Sequence, residues 1–166
     1  RSFSQRGNYI PVQRELSYEL TSKVVQGQVP TDVSGVYLKN GPNNMMENDS
    51  GRIHWFEGDG MVHAFRIKDG RLWYCNRFTK THQYVKTKES GKREKVMIGE
   101  MWGYGCLLVP ISMLKGYVGY TERAKPLTAN SANTAFIHHA KRTYALVEVD
   151  LPFRIKIDLN DDILDI

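Results

Sequence analysis

Apolar and polar residues alternate along much of this chain, in short stretches separated by tight polar turns. The clearest case is "MVHAFRI" (61–67) followed by "RLWYCNRFT" (71–79), with "KDG" between them. A period of two puts Met61, His63, Phe65 and Ile67 on one face of the first strand, and Leu72, Tyr74 and Phe78 on one face of the second. Asp69-Gly70 is the pair a type I′ turn favours, because both central residues need positive φ, so the two strands are predicted to form a hairpin. Near the end, "NTAFIHH" (133–139), "TYALVEV" (143–149) and "FRIKIDL" (153–159) repeat the pattern, joined by "AKR" and "DLP". In the last of these, Phe153, Ile155, Ile157 and Leu159 face one way and Arg154, Lys156 and Asp158 the other, which predicts a single solvated face. A further short strand is predicted over 36–40, after the turn "PTDVSG". The Gly, Pro, Asn, Asp and Ser of "GPNNMMENDSG" then read as loop. Residues 1–34 look irregular, with one short helix expected around 14–24.

One stretch departs from this rhythm. "MWGYGCLLVPISMLKGYVGY" (101–120) holds a single charge, Lys115, and is long enough to cross a bilayer. Its four glycines, proline and lysine argue instead for a short helix over about 107–118. At 100° per residue, Leu107, Ile111, Leu114 and Val118 form one apolar stripe, with Val109 and Met113 on the other side. Such a helix is either buried or lies in a membrane interface. The run "KTKESGKREK" (86–95) reads as a solvated loop.

The organisation expected is therefore an irregular segment over 1–34 and strands over 35–166, interrupted by the apolar helical insertion at 101–120. Short strands with tight turns point to an all-β sandwich, barrel or propeller. A hydrophobic content of 41% and a charged content of 25% exclude a disordered chain. The net charge of +5 is compatible with an anionic membrane or a nucleic acid and selects neither. Cys75 and Cys106 are the only cysteines, with no CxxC, which removes zinc ribbons and fingers; both are expected to stay reduced, as suits an intracellular protein. The chain starts at Arg1 and stops at "DLNDDILDI", and is expected to be a piece of a longer product. "RSFSQRGNYI", with arginine and serine but no acid, reads as the tail of a transit peptide.

The densest chemistry lies in "HWFEGDGMVHAF" (54–65). His54, Glu57, Asp59 and His63 are metal-ligand types. However, "EGDG" is no EF-hand loop, HExxH is absent, and the two histidines lie nine residues apart across a turn. His138 and His139 are neighbours on a strand, so they point to opposite faces and cannot share an ion. No GxSxG, P-loop or dinucleotide fingerprint is present. Gly58 and Gly60 bracket Asp59 just before a strand, where glycine supplies positive φ or close backbone approach. On these residues alone, no complete active site is legible.

Read together, several strings resemble the carotenoid cleavage oxygenase family, which includes the retinoid isomerase of the eye. They are "GVYLKNGPN" (35–43), "HWFEGDGMVHAFRI" (54–67), "NRFTKTHQYV" (76–85), which resembles the strand after the hairpin, and "ANTAFIHHAKRTYALVEVDLPFRI" (132–155). The resemblance implies the N-terminal portion of a seven-bladed β-propeller, here about two blades, since a blade takes roughly 40–45 residues. It implies a non-haem Fe(II) ion held by four histidines, and the O₂-dependent cleavage of a conjugated double bond in an apolar polyene to carbonyl products. It implies a helical patch that touches membrane, which is where Leu107, Ile111, Leu114 and Val118 fall, and no nucleic-acid partner. Plastid and cytoplasm are both compatible with it.

Residue by residue, Glu148 in "ALVEVDLP" matches a family glutamate that accepts a hydrogen bond from an iron-ligating histidine and so fixes its tautomer. On the predicted strand it shares a face with Tyr144 and Leu146. Phe56 matches a position lining the substrate tunnel, with a core phenylalanine as the rival reading. His63 matches a family histidine that is not a ligand. Asn44 stands where many members have proline, and Glu57 where aspartate is usual. The family's first iron histidine follows the strand that "DLPFRI" resembles, in a "TAHP"-like context that this sequence does not contain. None of His54, His63, His82, His138 and His139 is therefore expected to bind iron, and the ligands are expected beyond Ile166. The isolated chain is expected to be poorly stable and inactive. A retinoid or stilbene-type oxygenase, an isomerase, and a non-catalytic truncated binding module are the alternatives.

Overall fold

The computed structural model describes residues 7, 10–21, 26–46, 54–93, 99, 101, 103–107, 110, 111, 114, 117, 118, 131–148, 150–160 and 163–166. Strands β1 (Leu16–Glu19), β2 (Gly35–Asn43), β3 (Asp59–Lys68) and β4 (Arg71–Phe78) form an antiparallel sheet in the order β1-β4-β3-β2. Strands β5 (Ala135–His139), β6 (Arg142–Leu146) and β7 (Phe153–Ile155) form a second antiparallel sheet. β8 (Asp158–Asn160) and β9 (Ile163–Asp165) pair as a hairpin. Helix α1 spans His82–Ser90, and a 3₁₀ turn spans Gly103–Leu107.

The predicted hairpin forms between β3 and β4. Asp69 and Gly70 carry φ of 52° and 74°, both positive as the turn requires. The register sets Phe65 against Tyr74 and Met61 against Phe78, so the two predicted faces are one face of the sheet. On the opposite face, buried Ala64, Trp73 and Cys75 pack with Val36, Leu38, Ile157 and Ile166. Buried Ala132, Ala145 and Ile155 pack with Leu38, Phe136, Phe153 and Ile166. Leu38 and Ile166 belong to both groups, so the two sheets share one apolar interior.

The structure corrects five expectations. The segment predicted as helix at 14–24 holds strand β1 instead. Buried Asn76 accepts from Leu16 N at 2.7 Å and donates to Arg14 O at 2.9 Å, and this tertiary demand outweighs local propensity. β2 runs on through Pro42, where loop was predicted. β2 pairs only with β3, and proline is tolerated in such an edge strand. Residues 82–85, read as strand, and the first half of the run read as loop, 86–90, form α1. Thr81 Oγ1 caps its start by accepting from Tyr84 N at 3.2 Å, and Gly91, at φ 64°, closes its end. Tyr84 stacks on Phe78 with ring centroids 5.1 Å apart, which seats the helix on the sheet. The strand predicted over 153–159 breaks into β7 and β8, because the first half pairs with β6 and the second with β9; Leu159 is consequently half exposed. Finally, β6 ends at Leu146, so Glu148 lies in a turn beyond the strand that was expected to carry it.

Candidate functional site

The "HWFEGDG" segment sits where three backbones cross. A Cβ on Gly60 would lie 2.5 Å from Ser131 O and 2.6 Å from Ala132 O, and one on Gly58 would lie 2.7 Å from Asn43 N. Both glycines are therefore required by close backbone approach, and Gly58 also carries φ of 151°. Asp59 Oδ2 accepts from Met45 N at 3.1 Å. Buried Glu57 accepts from His54 N at 3.2 Å and Gly99 N at 3.0 Å through Oε2. His54 Nδ1 accepts from Phe56 N at 3.3 Å. These bonds turn the two aromatics outward: in this segment Trp55 is 60% and Phe56 79% exposed.

Asn133 ties this turn to the second sheet. Its buried amide donates to Phe56 O at 3.2 Å and to Gly58 O at 2.9 Å. The next residue, Thr134, places Oγ1 3.2 Å from Asn133 Oδ1 and 3.1 Å from Glu148 Oε2. Thr134 N also donates to Leu146 O at 3.0 Å, which fixes the threonine beside the end of β6. Glu148 is exposed, and its Oε2 shares the single Thr134 hydroxyl proton with Asn133 Oδ1. The turn bearing Phe56 and the carboxylate of Glu148 are thus linked through two consecutive side chains. Sequence reasoning missed both. Their signal was a pair of polar residues, Asn133-Thr134, directly ahead of an apolar strand.

Two of the histidines contact neighbouring side chains within the sheets. His63 Nδ1 lies 2.7 Å from Tyr74 Oη, and His138 Nδ1 lies 3.0 Å from Thr143 Oγ1 across the β5–β6 ladder. Burial, together with Lys39 on the neighbouring strand, lowers the His63 pKa, while burial raises that of Tyr74. His63, Phe65 and Tyr74 line a cleft of about 680 Å³ on the face of the first sheet turned away from the shared interior. Among the described residues, no three His, Cys, Asp or Glu side chains come together as a metal site. The described residues therefore offer no cage for an iron ion.

In the apolar insertion, residues 110, 111, 114 and 117 have helical backbone, and Val118 N donates to Leu114 O at 2.9 Å. Leu107, Ile111, Leu114 and Val118 are 55%, 50%, 62% and 60% exposed in this segment. Tyr104 and Tyr117 are more than nine-tenths exposed. Val109 and Met113 lie outside the described residues. Among the described residues, no helix is long and apolar enough to cross a membrane.

The family model described as RPE65, retinal pigment epithelial membrane protein, matches residues 9–161, nearly the whole chain. The chain belongs to the carotenoid cleavage oxygenase family. Among members of that family, it is 34% identical over 158 residues to carotenoid 9,10(9′,10′)-cleavage dioxygenase 1 of Pisum sativum, covering 95% of this chain and 28% of the relative. It is 32% identical over 161 residues to a carotenoid cleavage oxygenase of Mycobacterium tuberculosis, covering 95% of this chain and 26% of that one. A solved variant of Synechocystis apocarotenoid oxygenase superposes with a TM-score of 0.64 at 27% identity, over 88% of this chain and 28% of that one. The lignostilbene dioxygenase of Pseudomonas brassicacearum superposes at 0.67 and 21% identity, over 92% and 28%, which is likeness of fold. The chain thus spans little more than a quarter of the length of these carotenoid cleavage oxygenases and their structural neighbours.

Proposed function

We propose that the whole protein is a dioxygenase that cleaves a conjugated double bond of a carotenoid or apocarotenoid, and that this segment supplies part of its substrate wall and of its metal surroundings. On this reading the two sheets are neighbouring blades of a seven-bladed propeller. The reaction balances without a further reductant: one C=C bond and one O₂ become two C=O groups. A non-haem ferrous ion, held by histidines from elsewhere in the protein, supplies the activation of O₂. No residue described here is assigned as its ligand.

The observation that carries the proposal is the linked arrangement of Phe56, Asn133, Thr134 and Glu148. An exposed aromatic ring on a braced turn offers a flat, unreactive surface to an apolar polyene. The threonine hydroxyl orients the Glu148 carboxylate, leaving the rest of it open to accept an imidazole N–H from a histidine of another segment. That bond would fix the tautomer and raise the basicity of a metal-bound ring. The exposed stripe of Leu107, Ile111, Leu114 and Val118 serves as a membrane-facing patch, next to which an apolar substrate is available.

The test is incubation of the iron-loaded whole protein with β-carotene under isotopically labelled O₂, with mass analysis of the products. Labelled carbonyl products support the proposal. An unchanged polyene, or a rearranged one without oxygen uptake, replaces it with a binding or isomerase role.

A further inference from the structure

Asn133 is buried and doubly engaged with one turn. Both hydrogens of its amide are used on carbonyls of one turn, those of Phe56 and Gly58, which flank the buried carboxylate of Glu57. Its amide orientation is fixed by that geometry. Turned over, Oδ1 would face two carbonyl oxygens, which offer it no proton. Backbone satisfaction elsewhere at the same crossing is handled by a different residue, Asn40, whose Nδ2 donates to Ala132 O at 2.8 Å. Asn40 holds the incoming strand, whereas Asn133 holds the turn that presents Phe56.

We infer that Asn133 is a positioning residue for the polyene. It clamps the Phe56 turn at a fixed place relative to Glu148, and through that it sets which double bond of the substrate stands at the reacting centre. This rests on the proposed function above. The physical argument is about tolerance. Neighbouring double bonds of a polyene are chemically alike, so a wall that shifts by a fraction of their spacing changes which one is presented. Phe56 is 79% exposed, with the His54 ring of its own turn 5.5 Å away, so its side chain has little packing to hold it. Its place is set by the backbone bonds of its turn, and two of the carbonyls in that turn end on one side chain. Gly58 and Gly60 allow the close approach that makes this reach possible.

The experiment compares Asn133→Ala, Phe56→Ala, the double variant and Asn40→Ala in the whole iron-loaded protein. KM, kcat and the ratio of cleavage products from β-carotene are read together with thermal stability. The expected result is that Asn133→Ala raises KM about fivefold to tenfold, because the loosened turn presents a misplaced wall to the polyene, and adds a second pair of products. Phe56→Ala does the same, and the double variant is no worse than either single one, because the two act as a unit. Asn40→Ala lowers stability but leaves the product ratio unchanged. If Phe56→Ala changes KM and products while Asn133→Ala behaves like Asn40→Ala, the clamp is overturned and the substrate-wall reading stands. If Phe56→Ala changes neither, the wall reading falls and the clamp's role in substrate placement falls with it.

Discussion

Gly60→Ala is the sharpest structural test of why the "EGDG" fingerprint exists. The added methyl would sit 2.5 Å from Ser131 O, 2.6 Å from Ala132 O and 3.0 Å from Ala132 C. All three are main-chain atoms, so no rotamer change relieves the overlap. Gly60 pairs with Pro42, and Thr79 N donates to its carbonyl at 2.7 Å, so the strand cannot simply withdraw. Ala132 is itself fully buried, at a φ of 45°, and its carbonyl receives the Asn40 amide. Overpacking of a rigid core costs about 1–3 kcal/mol, and a double clash with backbone belongs at or above the upper end of that range. Gly41→Ala is the matched control. Gly41 lies one residue from the Gly60 pair on β2, and a Cβ there meets nothing within 4 Å, so a change within about 0.5 kcal/mol is expected. Denaturant unfolding of the whole protein, with the slope checked for constancy, reads both. Equal stabilities for Gly60→Ala and Gly41→Ala would refute the argument that close backbone approach dictates the glycine.

Further expectations concern pH, a turn and the surface. His63 has a lowered pKa in the folded state, so below about pH 6.5 the unfolded chain binds more protons. Stability should therefore fall as pH drops from about 7 towards 5, and His63→Gln should flatten that slope in denaturant titrations; an unchanged slope excludes His63 as its source. The β5–β6 turn carries Ala140 and Lys141 at φ of 49° and 60°, which suits neither residue. Replacing the pair by Asn-Gly should raise stability by about 1 kcal/mol in thermal unfolding, and no gain would mean the turn relaxes in solution. Leu114→Asp and Val118→Asp on the exposed stripe should each weaken sedimentation with phospholipid vesicles by about tenfold, the value of one apolar side chain leaving a lipid interface. Sedimentation that survives both changes places membrane contact elsewhere.

The parts of the fold legible in the sequence are those governed by local rules. The β3–β4 hairpin follows from two-residue alternation and an Asp-Gly turn, and its register came with it. The parts that were not legible depend on distant partners. Strand β1 exists because Asn76, some sixty residues on, has an amide to satisfy. The long alternating stretch at 153–159 changes partner in mid-course, which alternation cannot signal. Helix α1 did leave local marks in its Thr81 cap and Gly91 terminus, which the dense charge of the run obscured. The site divides in the same way. Phe56 and Glu148 entered through resemblance to a family, whereas the two residues between them, Asn133 and Thr134, emerge only from the hydrogen bonds.

Iron content of Glu148→Gln, measured in the whole protein alongside the parent, tests the account most directly. Glutamine keeps an oxygen that can accept from the Thr134 hydroxyl, so the replacement should leave the fold intact. If its carboxylate supports a metal-bound imidazole, iron occupancy at limiting metal should drop by about tenfold or more, with cleavage of β-carotene falling in step. Full iron occupancy and parental turnover in Glu148→Gln would contradict the claim that this segment completes the metal surroundings of a carotenoid dioxygenase.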